Sequence, residues 1–180
     1  NGQGGDRVNF ENSNGGYIDY QQDFTIEMWI KFNRTGSGVN DGDICGIIGW
    51  QSGNAPFGIA FKRIDANEAQ LVWIRGTTSD SNALDKTSGV PNLPMAVWHH
   101  VAFTWDQSTD TGTIFVNGNY YDHGSTWGAS ISSSNNDFYM GQDVAGGTKF
   151  GAFDISNLRM VKNQLIYTRN FTAPAAELSG

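Results

Sequence analysis

Residues 24–32 read F-T-I-E-M-W-I-K-F. Phe24, Ile26, Met28, Ile30 and Phe32 fall on one parity; Thr25, Glu27, Trp29 and Lys31 fall on the other. A helix would scatter the five apolar side chains around its axis. An extended strand, with its period of two, gathers them on one face. A face that apolar needs a second layer to cover it, so the chain must build at least two layers. The opposite face is amphipathic, because Trp29 stands between Glu27 and Lys31.

Further strand signals recur between clusters of Gly, Asn, Asp and Ser. They are I-C-G-I-I-G-W at 44–50, F-G-I-A-F-K-R-I at 57–64, Q-L-V-W-I-R at 70–75 and F-Y-M-G at 138–141. The segment V-W-H-H-V-A-F-T-W-D at 97–106 alternates too. Val97, His99, Val101, Phe103 and Trp105 share one face; Trp98, His100, Ala102, Thr104 and Asp106 share the other. The adjacent histidines therefore diverge and cannot chelate one ion from a regular strand. His99, on the apolar face, reads as a buried neutral imidazole with one hydrogen-bond partner. T-I-F-V at 113–116 runs into Asn117-Gly118 and then N-Y-Y, a strong hairpin signal. Residues 150–162 form a last long strand, and Q-L-I-Y at 164–167 could be one helical turn. Phe171 is expected to anchor the C-terminal end on the body. The long polar stretch between Gly76 and Pro94 has the character of a binding loop or mobile cover.

Roughly ten strands or more, joined mostly by hairpins, predict an all-β sandwich of two antiparallel sheets in a jelly roll. Composition agrees: 23 glycines among 180 residues, 13% aromatic and only 16% charged. The net charge of −7 makes nucleic acid a poor partner. No apolar run of ~18 residues is present to insert into a membrane. Cys45 is the single cysteine and cannot form an internal disulfide, so it reads as a small buried apolar residue. Asn1 is not a methionine, and T-A-P-A-A-E-L-S-G resembles the start of a linker. The expected organisation is one domain over 1–172 with a tail at 173–180, set within a longer protein.

The order of G-G-D-R-V, F-T-I-E-M-W-I-K-F, W-H-H-V-A-F-T-W-D, I-F-V-N-G, F-Y-M-G, F-G-A-F-D-I-S-N-L-R-M-V-K and Y-T-R-N-F-T-A-P covers nearly the whole chain. In that order the segments resemble the laminin-G-like, concanavalin A-like (pentraxin-like) jelly rolls of bacteriophage and bacterial surface proteins. The chain departs from that pattern at Asp154-Ile155-Ser156, where the family carries a second acid, and at Val116-Asn117-Gly118, where it carries an aspartate. The resemblance implies a lectin-like role for a domain displayed on a virion, a cell surface or a secreted protein. Its partners would be a glycan or surface polysaccharide and other domains or subunits of the parent protein. The competing expectation is a structural or assembly module of a phage fibre or capsid decoration, with no glycan ligand.

Catalysis is not expected. Glycan hydrolysis with retention needs two carboxyl groups about 5–5.5 Å apart, which alternate strand positions supply. The glutamates Glu11, Glu27, Glu68 and Glu177 have no partner at such spacing. No nucleophile elbow, zinc motif or phosphate loop is present. For glycan binding, aromatic rings accept the C–H faces of sugars while polar groups fix orientation. The candidates are Trp50, Trp73, Tyr120 and Trp127, with Asn54 in the loop after Trp50 and Asp143 in a polar loop. The resemblance also allows calcium. Its candidate ligands are Asp41 and Asp43 in N-D-G-D, and Asp6 with Asp154, which the first strand and a late strand could share.

Overall fold

The computed structural model describes residues 8–10, 22–33, 39–50, 57–75, 89–122, 138–141, 149–150 and 152–175. Twelve strands run through them. In chain order they are β1 (Val8–Phe10), β2 (Phe24–Phe32), β3 (Ile44–Trp50), β4 (Phe57–Arg63), β5 (Glu68–Arg75) and β6 (Leu93–Pro94). They continue as β7 (Trp98–Asp106), β8 (Thr111–Val116), β9 (Asn119–Asp122), β10 (Phe138–Met140), β11 (Lys149–Phe150) and β12 (Phe153–Lys162). No helix occurs among the described residues.

The strands form two sheets, as the alternation demands. A seven-stranded sheet runs β1-β10-β3-β4-β5-β6, with β11 also on β3, and a five-stranded sheet runs β12-β2-β7-β8-β9. All pairs are antiparallel except β11 with β3, a short parallel pair that the hairpin reading did not include. The apolar parity of β2 is buried throughout, each side chain 1% exposed or less. It meets the other sheet directly. Phe32 packs on Phe61 at 4.7 Å between ring centroids, and Trp73 lies edge-on to Phe103 at 5.7 Å. Cys45 is buried in the same core. His99 is 4% exposed and its Nε2–H donates to the Pro94 carbonyl at 2.9 Å.

Two local features fix the five-stranded sheet. Asn117 and Gly118 have φ of 49° and 82° and close the β8–β9 hairpin between Val116 and Asn119. Two consecutive left-handed residues match the twist of the flanking strands. The Asn117 side-chain oxygen accepts the His100 N–H at 3.0 Å, tying the hairpin to β7. In β12 a bulge lies between Ser156 and Arg159, with Asn157 at φ 53°. The extra residue reverses the parity of the remainder of the strand. Phe153, Ile155, Leu158 and Met160 consequently all pack on the core, and Arg159 comes opposite Glu27.

Residues 163–175 then cross the outer face of this sheet without pairing as a strand. Residues 164–167 are irregular and not the expected helical turn. Side chains of the sheet hold the backbone here instead. Thr25 Oγ1 donates to the Gln164 carbonyl and accepts the Ile166 N–H, both at 3.0 Å. Phe171 donates its N–H to the Gly118 carbonyl at 2.9 Å, and Asn170 Oδ1 accepts the Tyr120 N–H at 2.8 Å. The Phe171 ring stacks on Tyr167 at 3.6 Å and lies edge-on to His100 at 5.7 Å. Phe171 therefore anchors the C-terminal segment, which acts as a strap over half of the face.

Candidate functional site

Strand register places five residues side by side at one end of the seven-stranded sheet. Phe10 pairs with Phe138, Phe138 with Trp50, Trp50 with Phe57 and Phe57 with Arg75. Segments 11–21, 51–56 and 76–88 join the chain at this row, and segment 123–137 enters it at Phe138. Trp50 thus stands at the centre of this row, and Asn54 and Trp127 fall in segments 51–56 and 123–137. Asn54, Trp127 and the Trp50 side chain lie outside the described residues, as do Asp143 and Asp6. The segment bearing Asp143 leaves β10 after Gly141, whose neighbour Met140 pairs with Ile48. That is the far end of β10 from Phe138.

Trp73 is not a binding platform. It is fully buried between the sheets, against Phe24 and Phe103. A Cβ on Gly112 would meet its indole at 3.0 Å, so the glycine makes room for the ring. Leu71 and Trp73 share a parity, and that parity faces the core. Tyr120 is 39% exposed on β9, beside Phe115 at 5.5 Å.

The acidic residues are engaged with neighbouring groups. Asp43 Oδ2 accepts the Asn40 N–H at 2.8 Å within a tight turn, and Asp41 pairs with Arg63 Nε at 3.1 Å. The same arginine donates to the Val39 carbonyl at 2.6 Å. Asp154 pairs with Lys31 Nζ at 2.6 Å and accepts the Asn33 amide at 3.2 Å. These donors hold the Asp154 carboxyl below the usual range, Lys31 first and Asn33 second. A calcium ion needs six to eight oxygens. Among the described residues no three Asp, Glu, His or Cys side chains gather to supply them, and cations of the chain already serve Asp41 and Asp154. The described residues therefore do not fit a calcium cage.

One polar cluster was not read from the sequence. Glu27, 4% exposed, receives the Tyr167 hydroxyl at 2.7 Å, the His100 Nε2–H at 3.2 Å and Arg159 Nε. Burial holds the His100 imidazole below its ordinary pKa, against the opposing pull of Glu27. Burial, then the bond to Glu27, pushes Tyr167 up to about 12. The signal available was Glu27 itself, an acid on a strand between Thr25 and Trp29, but its partners come from remote segments. Glutamate, histidine and tyrosine together have the composition of an acid–base site. Here Glu27 lies beneath the strap with three donors on its carboxylate and, among the described residues, no second carboxyl group beside it. Glu68, the other described glutamate, accepts the Asn92 amide at 2.9 Å on the surface. The cluster locks the strap to the sheet.

Solved structures with this fold include the binding domain of botulinum neurotoxin serotype D, at TM-score 0.53 and 13% identity over 88% of this chain and 37% of that one. The serotype G binding domain matches at TM-score 0.51 and 17% identity, over 80% of this chain and 34% of that one. Domain 4 of AbnA, a GH43 extracellular arabinanase from Geobacillus stearothermophilus solved with arabinotriose, matches at TM-score 0.50 and 16% identity, over 79% and 61%. The chain spans about a third of the length of the toxin domains. None of the curated protein sequences matches it. A laminin-G family profile matches residues 2–166. Two packed, mostly antiparallel sheets and a profile match over most of the sequence place this chain in the laminin-G family of the concanavalin A-like lectin/glucanases superfamily.

Proposed function

We propose that this domain is a non-catalytic carbohydrate-binding or adhesion module of an extracellular, cell-surface or virion protein. The observation that carries the reading is the row of strand ends Phe10, Phe138, Trp50, Phe57 and Arg75. Trp50 lies at the centre of that row, and the connection bearing Asn54 follows it in sequence. An aromatic residue among polar connections suits a sugar, which offers C–H faces for stacking and hydroxyls for hydrogen bonds. Family membership and the arabinotriose-bound relative support the same ligand class. Binding without hydrolysis is the reading that the described glutamates support. Glu27 is sealed beneath the strap and Glu68 is occupied by Asn92, so neither forms the carboxyl pair that hydrolysis requires.

The test is a glycan-array screen of the domain in calcium and again in EDTA, with Trp127→Ala as control. Saturable binding that falls at least about tenfold in Trp127→Ala is the expected result, since aromatic anchors dominate such affinities. Loss in EDTA would add a metal to the recognition and direct attention to the acidic connections. A folded domain that binds nothing on a broad array would overturn the reading in favour of an assembly role.

A further inference from the structure

The strap covers only half of the outer face of the five-stranded sheet. Beside it, among the described residues, lie two cross-strand rows, the second ending at the buried His100 against Phe171. Asp154, Lys31 and Trp98 lie opposite one another on β12, β2 and β7, and Ser156, Trp29 and His100 form the next row. Trp29 and Trp98 are both partly exposed. Lys31 Nζ sits 5.2 Å from the Trp98 ring centroid while it binds Asp154 at 2.6 Å, and Asn33 holds the other carboxylate oxygen at 3.2 Å. The Trp29 ring is fixed edge-on to the buried His100 at 5.5 Å. Both indoles and the ion pair are therefore held in place by neighbours on rigid strands.

From this juxtaposition we infer that Trp29, Trp98, Lys31, Asn33 and Asp154 form a second saccharide-binding platform on the open half of the outer face. It is distinct from the rim, and its ligand class is a neutral oligosaccharide with free vicinal hydroxyls. The chemistry selects that class. A sugar ring places its apolar C–H groups on indole and its hydroxyls on a carboxylate, an amide and an ammonium. Asp154 retains lone pairs beyond those that Lys31 and Asn33 occupy, and Lys31 retains N–H donors beyond the one given to Asp154. Other occupants fit less well. A nucleic acid would meet Asp154 on a chain of net charge −7. A lipid surface would have to bury the Lys31–Asp154 ion pair in an apolar medium. A protein partner would find two indoles separated by charge, where docking surfaces present a contiguous apolar patch. Because groups already held in register lose little entropy on binding, a shallow platform can still capture a flexible glycan.

The test uses arabinotriose, cellotriose, maltotriose and chitotriose as probes. Binding is monitored by the NMR shifts of the indole Nε1–H groups and by titration calorimetry. The expected result is saturable binding of at least one probe, with shifts at Trp29 and Trp98. Trp98→Ala and Asp154→Ala should each weaken it at least about tenfold. Asp154 is an exposed side chain, so that variant keeps the fold if Trp98→Ala does not. Binding that survives both variants and disappears in Trp127→Ala would overturn the platform and leave the rim as the site. Failure of all four probes to shift Trp29 or Trp98 would also overturn it, whatever the rim binds.

Discussion

Glu27 shows what a single residue can do when remote segments converge on it. Three donors from β7, β12 and the strap meet one buried carboxylate. Removing it leaves His100 and Tyr167 without their acceptor in a dry environment, and an unpartnered buried group is costly. Glu27→Ala should lower stability by about 1–3 kcal/mol, the cost of leaving the buried His100 without its acceptor. Glu27→Gln keeps an acceptor and should cost less. Urea unfolding of the two variants measures both. Trp73 gives the contrasting case. Its indole fills the space between the sheets, so Trp73→Ala should cost about 3–5 kcal/mol through the cavity it leaves. The same variant, at a temperature where it stays folded, should bind glycan as the parent does. A selective loss of binding would mean that the ring takes part in recognition after all.

At the scale of elements, the β12 bulge and the β8–β9 turn carry the geometry. Deleting Asn157 would remove the extra residue and leave a regular ladder, with Leu158 still facing the core and Arg159 still opposite Glu27. That variant should keep the fold, as should Asn157→Gly, which suits a φ of 53°, whereas Asn157→Val, β-branched at that φ, should lower the melting temperature; thermal unfolding followed by circular dichroism separates them. Gly118→Ala should cost about 1–3 kcal/mol, because φ is 82° and a Cβ there would collide with the Phe171 carbonyl oxygen. Thermal unfolding reads that loss. The strands themselves were legible from sequence because alternation is a local property: β2 and β3 span 24–32 and 44–50, as their patterns indicate. The bulge also left a trace. The apolar residues of β12 switch from odd numbers at Phe153 and Ile155 to even numbers at Leu158 and Met160. The strap left only Phe171 as a marker, because it has no period; single contacts from Thr25, Glu27 and Gly118 hold it. The rim was legible only in part, since sequence marks Trp50 as a candidate but only the register of β1, β10, β3, β4 and β5 sets it in a row with Phe10, Phe138, Phe57 and Arg75. Trp73 misled because a tryptophan inside a strand reads alike whether its face meets the core or offers a platform.

For the whole molecule, the strap cluster ties stability to pH from both directions. The His100 imidazole lies below its ordinary value of 6.5 in the folded state. As pH falls below 6.5, the unfolded chain takes up a proton that the folded chain still refuses, so stability declines. Tyr167 works at the other limit. Its folded value of about 12 exceeds the ordinary 10.0, so its contribution is complete below pH 10 and is lost as pH rises toward 12. The urea midpoint should therefore form a plateau between about pH 6.5 and 10 and fall on either side. Tyr167→Phe should flatten the alkaline arm between 10 and 12 and leave the acid arm in place. His100→Gln should reduce the acid arm and leave the alkaline one. If Tyr167→Phe left the alkaline arm unchanged, the hydroxyl would not be the group that feels the strap. A sandwich whose outer face is half covered by one irregular segment thus carries its pH limits where that segment meets the sheet. The two packed sheets beneath it contribute apolar burial, which is insensitive to protons.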